Sequence, residues 1–573
     1  MIGRRISLLL VVIAVISAVT ACRGDTDQIV TAQVTTAPVT ISYAHEQQFS
    51  SYNSNTSTQS LVRNTVVLNQ VLRGFWNYGT DGAVVPDREF GTYAKVSDNP
   101  LTVRYTFSPR AVWSDGEPID CDDAVLAWAA NSGRWPTGGT DPGTGRKLTA
   151  FNSANTAGWE DAAMPGCKDG DRTFTLTYRT MYSDWNALYG SGQILPAHII
   201  EQESGVPDLI AGVKRGDRDT MVKLGDVYNS LWVFRPGHYN TDLAPSAGPY
   251  QVSEWKPGMS ITLTPNRSWW GVPPRSHTIV IRFMPQDEQA AALQRGEIQV
   301  MDPQPNPELL TQLKRLGSTI RLSTHDEFSW EHVDFNTQTT FKDHALRVAF
   351  AKCLPRQQIV DNLIKPQNPQ AQVLQSRFRL PFQPGYDRLK ARGGERYMEA
   401  DIAGAKAILQ QKHRVGMKVR IAYQTPNPRR KAEVDLLRDF CGQAGFTIQD
   451  AGSATFLDEG LSTGDFDVAL YAWSGSPLVS QNYATYVTGG GRNHGGYTNP
   501  DVDTLLKRLN SELAPELQLQ LQTQIDAILW RDLPTIPLFA FPAVLAIAPG
   551  VQGVQYNASE AEVTYNMNEW YLS

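Results

Sequence analysis

The chain of 573 residues is long enough for several structural units, because one domain takes about 100–200 residues. Its 41% hydrophobic and 19% charged residues are ordinary for a soluble protein. The net charge of −6 and the lack of a basic run argue against a nucleic-acid partner. The 14 tryptophans and 21 tyrosines suit a large core or a pocket wall, and we expect most of them in the core.

The N-terminus has the features of an export signal. An arginine pair precedes an apolar run over residues 6–21, which is too short for a stable membrane span but fits a signal peptide over residues 1–21. The run ends in Val19-Thr20-Ala21-Cys22, which resembles a bacterial lipobox, in which the chain is cut before the cysteine and a diacylglycerol is attached to its sulfur. We therefore expect a protein anchored by lipid at the extracytoplasmic face of the cell membrane, with residues 22–38 as a tether. A plain secretion signal is the alternative.

Four cysteines remain beyond the lipobox: Cys121, Cys167, Cys353 and Cys441. An even number in an exported protein predicts disulfides, and four cysteines allow three pairings. We expect no zinc site, because no two of these cysteines are close in sequence.

Alternating and helical patterns are mixed along the rest of the chain, without repeats. We predict strands at 39–45, 101–107, 172–178 and 466–473, and helices at 120–130, 345–354, 401–411 and 521–533. The segment 419–448 is typical of a strand, helix and strand in succession. The predicted class is mixed α/β.

Catalytic motifs are weak. Gly460-Leu461-Ser462-Thr463-Gly464 has the Gly-x-Ser-x-Gly pattern of hydrolases, but here a helix-like segment precedes it and a strand follows, the reverse of a nucleophile elbow. His45-Glu46 begins a zincin pattern whose second histidine is replaced by Phe49. The acidic segment 168–173 is too short for a calcium loop, and we interpret it as a turn. We expect no enzyme activity, no cofactor and no metal, with a hydrolase using Ser462 as a remote alternative.

An ordered series of longer segments resembles one protein family. The segments 105–128, with Trp113-Ser-Asp-Gly, and 248–271, with Gly-Pro-Tyr, are similar to signatures of the family 5 solute-binding proteins, the peptide- and oligopeptide-binding lipoproteins of ABC importers. Further similar segments are 335–363, 499–506 and 525–539. The resemblance runs from about residue 39 to the C-terminus and points to an actinobacterial-type member.

The resemblance implies a two-lobed periplasmic-binding-protein-like fold with an extended N-terminal lobe and a ligand in the cleft between the lobes. Lobe I would comprise 39–282 with 540–573, and lobe II would comprise 283–539. Two strands near Phe283 and Pro537–Phe539 would form the hinge. The lobes also imply a pairing: Cys121–Cys167 and Cys353–Cys441 would each stay within one lobe and leave the hinge free.

The family also implies a ligand site at the end of the predicted strand 466–473. Peptide-binding members have a Trp there, followed three residues later by an Asp that pairs with the α-amine of the ligand. This chain keeps Trp473 but has Ser476 at the acidic position. The expected ligand-binding residues are Glu46, Trp330, Trp473, Ser474, Gly475 and Ser476. Peptides with a free amine are therefore expected to bind poorly, unless Glu46 or Glu331 replaces the missing carboxylate.

The expected function is capture of a peptide-like or other polar solute for the permease subunits of an ABC importer, by a monomeric protein. The alternative is a non-transport relative acting in the synthesis of phosphatidylinositol mannosides in the cell envelope, because one actinobacterial lipoprotein of this fold is associated with such a role. The loss of the amine-binding Asp at Ser476 fits this change of role.

Overall fold

The computed structural model describes residues 39–390 and 394–573, and a ten-stranded sheet is its largest sheet. The predicted signal peptide, Cys22 and the tether lie outside the described residues. Within that part, the strands are β1 Thr40–His45, β2 Trp76–Tyr78, β3 Val84–Pro86, β4 Gly91–Asp98, β5 Leu101–Phe107, β6 Pro136–Thr140, β7 Lys147–Thr149, β8 Thr173–Thr177, β9 Tyr250–Lys256, β10 Ser260–Pro265, β11 Thr278–Phe283, β12 Val300–Met301, β13 Arg321–Phe335, β14 Lys418–Ala422, β15 Thr447–Asp450, β16 Val468–Trp473, β17 Thr535–Ile547, β18 Val551–Gln552 and β19 Tyr571–Leu572.

Sixteen α-helices lie between and after the strands in the described part of the chain. They are α1 Val62–Val71, α2 Cys121–Asn131, α3 Ala197–Ser204, α4 Leu209–Arg215, α5 Arg218–Ser230, α6 Gln286–Gln294, α7 Pro307–Leu316, α8 His344–Cys353, α9 Arg356–Ile359, α10 Tyr386–Lys390, α11 Ile402–Gln411, α12 Pro428–Ala444, α13 Leu461–Thr463, α14 Tyr483–Tyr486, α15 Pro500–Ser511 and α16 Pro515–Asp532. None of these helices is both long and apolar enough to span a lipid bilayer.

The large sheet is mixed, with the order β15-β14-β16-β13-β17-β12-β1-β11-β10-β9. The β1 strand is parallel to both of its neighbours, β11 and β12. The long strands β13 and β17 are antiparallel to each other and join the two halves of the sheet. Their pairing register shifts between Asp326 and Trp330 and again between Glu331 and His332.

The elements predicted from sequence patterns are confirmed. For example, β5 alternates buried and more exposed residues, as its apolar alternation predicts. The helix α2 begins at a capping box, in which the Asp120 side chain accepts from the backbone of the first turn and Asp123 accepts from the N-cap backbone. The segment 419–448 forms β14, α12 and β15, with the two strands parallel.

Two large hydrophobic cores are built on the two ends of the sheet. The first gathers residues such as Ile41, Val103 and Ile281, and the second gathers residues such as Val333, Ile421 and Val468. The β17 strand contributes to both cores, with Ile547 in the first and Phe539 in the second. Side chains of α14, α15 and α16 pack in the first core. The lobe boundaries inferred from the resemblance stay a prediction.

Both disulfides lie inside these cores or beside them. Cys121 is bonded to Cys167 at the first core, and Cys353 is bonded to Cys441 within the second. These are the pairs that the family resemblance implied. Since neither bond joins one core to the other, neither restrains their relative movement.

Candidate ligand-binding site

A cavity of about 320 Å³ lies where the two cores meet. Its volume is within the range of about 300–1,000 Å³ that small-molecule sites occupy. The walls come from many parts of the chain: the end of β1 with the segment up to and including α1, β2, the loop after β12, the middle of β13 and of β17, the end of β16, single residues of α6 and α12, and the segments 191–193, 457–462, 492–494 and 556–565. The carboxyl ends of the parallel strands β1 and β12 open into it, the edge at which ligands bind in α/β sheets.

Trp473 lines the cavity at the end of β16. Its indole plane is nearly parallel to the imidazoles of His332 and His494, with ring centroids 5.6 and 6.2 Å away. Its Nε1 atom is buried and has no hydrogen-bond partner among the described residues. The indole N–H can therefore donate a hydrogen bond to a solute in the cavity.

Of the other ligand-binding residues expected near Trp473, only some line the cavity. Ser474 lines the cavity, and its hydroxyl is 3.1 Å from that of Ser329. Gly475 and Ser476 are not among the lining residues, and Ser476 is only 3% exposed. Trp330 is 5% exposed and packs in a small separate core with Leu374 and neighbouring side chains.

Glu331 and Glu46, the two carboxylates expected to replace the missing acidic residue, have different surroundings. Glu331 is fully buried and forms ion pairs with Arg429 at 3.0 Å and Arg430 at 2.7 Å, so its charge is already neutralised. Glu46 lines the cavity, where Gln286 donates to it and the backbone N–H of Gln304 donates at 3.3 Å. Burial raises the pKa of Glu46.

Four further carboxylates line the same cavity and were not predicted from the sequence: Asp302 after β12, Glu327 in β13, and Glu560 and Glu562 near the C-terminus. Burial raises the pKa of Asp302 and that of Glu327 to about 7, against hydrogen bonds that lower them. Burial, and in second place the neighbouring carboxylates, raise the pKa of Glu562 well above its usual value. One signal was available for Asp302, because it follows a short apolar strand directly. Glu327 and Glu562 carry no local pattern that marks them.

The imidazoles at the cavity are neutral at physiological pH. Burial lowers the pKa of His45 and that of His494 to about 4. Two arginines also line the cavity, but Arg430 is bound to Glu331 and Arg492 donates to the Ser60 hydroxyl at 2.9 Å. The cavity is therefore rich in carboxylates and has few free positive charges.

Comparison with known proteins identifies the family. The model of the bacterial extracellular solute-binding proteins, family 5, matches residues 89–495, which is most of the chain. The chain belongs to this family.

Relatives cover nearly the whole of this family 5 solute-binding protein. An uncharacterised lipoprotein of Mycobacterium tuberculosis is 27% identical over 97% of this chain and 95% of its own. The oligopeptide-binding protein OppA of the same species is 25% identical over 84% of this chain and 77% of its own. The structure of the oligopeptide-binding protein AppA of Bacillus subtilis with a nonapeptide has a TM-score of 0.74 at 18% identity, covering 94% of this chain and all of AppA. The fold is therefore that of the periplasmic binding proteins.

The hydrolase-like motif has no catalytic surroundings in this solute-binding protein. Ser462 lies in the short helix α13, which β16 follows, so the order of elements is the reverse of a nucleophile elbow. Its hydroxyl donates to the Glu459 carbonyl at 3.4 Å. No imidazole within the described ranges hydrogen-bonds to it. The residue lines the cavity, where its hydroxyl belongs to the polar wall.

The acidic segment 168–173 lies far from this cavity. Its Asp169 comes together with Asp120 and Asp122, with ligand atoms within 4.8 Å of one another. Three carboxylates are fewer than the six to eight oxygens that calcium takes, and two of the three also serve the start of α2. We assign no metal to this cluster.

Proposed function

We propose that this family 5 protein captures a polar, peptide-like solute in the cavity and delivers it to the permease subunits of an ABC importer. The observation that carries the proposal is the position of the cavity between two separately packed cores, with polar groups and one tryptophan on its walls. Oligopeptide-binding relatives and structural neighbours support a peptide-like solute. The protein acts as a binding protein without catalysis.

Closure of two lobes over the solute is part of this proposal, with lobe I as 39–282 plus 540–573 and lobe II as 283–539. One contact that joins segments assigned to different lobes is the ion pair of Arg63 in α1 with Asp458. This contact forms on closure and breaks on opening, while β13 and β17 stay continuous between the cores.

We further propose that lipid on Cys22 holds the protein at the extracytoplasmic face of the membrane, close to its importer. The named lipoproteins among the relatives support this location. The alternative role in envelope glycolipid synthesis was motivated by the missing charge at Ser476. Since Ser476 does not line the cavity, that observation no longer favours the alternative.

Trapping of small molecules tests the proposal. The purified mature protein is incubated with the small-molecule fraction of a cell extract, washed and denatured, and the released compounds are identified by mass spectrometry. We expect the native protein to retain a defined solute, the Trp473→Ala variant to lose most of it, and the Trp269→Ala variant to retain it. Trp269 is a matched control, because it is also half-buried but lies away from the cavity. No retained solute, or equal retention by both variants, would contradict the proposal.

A further inference from the structure

The hairpin formed by β6 and β7 belongs to the segment assigned to lobe I and has no hydrophobic core of its own. Its strands pair from Pro136 with Thr149 to Thr140 with Lys147, and the turn 141–146 joins them. Every residue from 136 to 149 is exposed or half-buried. An isolated two-stranded hairpin is marginally stable at best in water, so the position of this one depends on what its two ends contact.

The base of the hairpin is held by lobe I. Arg218 in α5 donates to the Thr137 carbonyl at 2.7 Å. Arg146, at the start of the returning strand, donates to the Ser57 hydroxyl at 3.2 Å. Since Ser57 lines the cavity, the base of the hairpin is connected to the lobe I part of the cavity wall.

The turn at the tip of the hairpin is fixed by its own hydrogen bonds. The Asp141 carboxylate accepts from the backbone N–H groups of Gly143 at 3.0 Å and Thr144 at 2.8 Å, and from the Thr144 hydroxyl at 2.8 Å. The Gly145 N–H donates to the Asp141 carbonyl at 2.8 Å. An aspartate that satisfies the following backbone in this way stabilises one turn conformation. The tip therefore has a defined shape.

This tip lies directly against segments assigned to lobe II. A Cβ atom added to Gly143 would lie 1.8 Å from the carbonyl oxygen of Thr463, and one added to Gly464 would lie 3.0 Å from the carbonyl oxygen of Gly143. A Cβ atom added to Gly496 would lie 2.8 Å from the carbonyl oxygen of Thr144. The two backbones thus approach so closely that only glycine fits at Gly143.

The lobe II segments under the tip continue into the cavity wall. Ser462, directly before Thr463, lines the cavity, and so does His494, two residues before Gly496. The hairpin thus extends from a wall residue of lobe I at its base to segments adjoining the wall in lobe II at its tip. No residue of the hairpin itself lines the cavity.

The contact between the tip and lobe II is of a kind that can separate easily. Within residues 39–390 and 394–573, no hydrogen bond or ion pair joins the hairpin to lobe II. Close packing of backbone atoms holds them together instead, and each such atom pair contributes only about 0.1–0.2 kcal/mol. Separation would leave no polar group without its partner and would expose no buried apolar side chain.

We propose that the β6–β7 hairpin is a strap that holds the two lobes together over the solute and slows its release. The rigid turn and the close fit at Gly143 favour the closed arrangement, in which the tip and lobe II are in contact. Because the strap does not line the cavity, it acts on the rate of dissociation and not on the choice of solute. The proposal rests on the lobe closure that is part of the proposed function.

The substitution Gly143→Ala tests the strap. The φ of Gly143 lies outside the left-handed region, so alanine is not strained there, but its methyl group must push the tip away from Thr463. The matched control is Gly442→Ala, since Gly442 also has no positive φ and an added Cβ meets no atom within 4 Å. A second variant, Asp141→Ala, loosens the turn without adding bulk at the contact.

Two measurements are made on the mature proteins, with thermal melts to show that each variant is folded. In the first, each protein is incubated with the small-molecule fraction of a cell extract, and the retained compounds are followed by mass spectrometry during dialysis. In the second, small-angle X-ray scattering gives the radius of gyration before and after this incubation. The first measures release of the solute, and the second measures opening of the lobes directly.

We expect Gly143→Ala and Asp141→Ala to release the retained compounds about tenfold faster than the native protein, with a larger radius of gyration after incubation. Gly442→Ala should behave like the native protein. Equal release by the native protein and Gly143→Ala would overturn the strap and leave solute capture intact. If Gly143→Ala is not folded, the same comparison is decided by Asp141→Ala.

A native protein that retains no compound would contradict the proposed function and not by itself the strap. The scattering of the proteins before incubation then decides: a larger radius of gyration for Gly143→Ala than for the native protein would support the strap, and equal radii would overturn it.

Discussion

The Tyr43 hydroxyl on β1 donates a hydrogen bond of 2.5 Å to Oδ1 of Asp302. Tyr43 pairs with Val300 on the neighbouring strand β12, and Asp302 follows Val300 by two residues. The two strands are parallel, so their carboxyl ends face the same cavity. This bond fixes one carboxylate at the edge of the sheet where ligands bind in α/β folds. Asp302 is on the cavity wall because β12 ends there beside β1.

Protonation of Asp302 and Glu327 should contribute to how the stability of the empty protein depends on pH. The folded-state pKa of Asp302 and that of Glu327 are about 7, above the value of about 4 for carboxyls in unfolded chains. Between these values the folded state binds more protons, so this contribution to stability is present at pH 4 and is lost as the pH rises through 7.

Thermal melts at pH 5.0 and 7.5 measure this effect against the double variant Asp302→Asn/Glu327→Gln. The titratable groups that act on the pair are Tyr43, Glu46, Tyr556 and Glu562, and all of them are unchanged in the comparison. We expect the variant to be more stable than the native protein at pH 7.5, with a smaller difference at pH 5.0. The reverse order of the two differences would contradict the raised pKa values.

Loss of the charge on Glu331 should destabilise the fold strongly. Glu331 is fully buried and neutralises Arg430, and removal of one partner from a buried ion pair typically costs about 3–5 kcal/mol. We expect Glu331→Gln to lower the free energy of unfolding by roughly 3 kcal/mol in urea denaturation. The control is Glu516→Gln, which removes an exposed pair with Arg388 and should cost less than about 1 kcal/mol. Equal effects of the two substitutions would show that the ion pairs of Glu331 are not needed for stability.

The disulfide Cys353–Cys441 should stabilise the second core without affecting binding. It joins two cysteines that are 88 residues apart in sequence and lie inside that core. We expect the double variant Cys353→Ser/Cys441→Ser to lower the free energy of unfolding by about 2–4 kcal/mol, because the unfolded chain regains freedom. The amount of trapped solute at 25 °C should be unchanged. A variant that keeps its stability but loses the solute would instead place this bond in the closure movement.

Replacement of Cys22 by serine should release the protein from the membrane. The lipobox-like Val19-Thr20-Ala21-Cys22 lies at the end of the apolar run, and a serine cannot take a lipid on sulfur. We expect Cys22→Ser to appear in the medium or to remain as an unprocessed precursor, as judged by fractionation and mass spectrometry. Processing and membrane association like those of the parent would rule out the lipid anchor.

Local patterns predicted much of the fold, since strands such as β5 and helices such as α2 carry alternation and caps within a few residues. The candidate site was predicted only in part. Glu46, Trp473 and Ser474 line the cavity. The Trp330 side chain instead packs in a small core with Leu374, a contact between distant parts of the sequence.

The rest of the site depends on contacts that no local pattern encodes. Glu327 and Glu562 are more than 200 residues apart, and they meet only because β13 and the C-terminal segment reach the same wall. The family position of Ser476 likewise did not predict where its side chain lies. A family position can keep its place in sequence while its side chain lies outside the cavity, as this buried serine does.

The most direct test of solute capture is a crystal structure of the mature protein after incubation with the small-molecule fraction of a cell extract. We predict electron density for a solute in the cavity, with an acceptor atom within hydrogen-bond distance of Nε1 of Trp473. A cavity that holds only water, or a solute bound elsewhere on the protein, would contradict capture at this site.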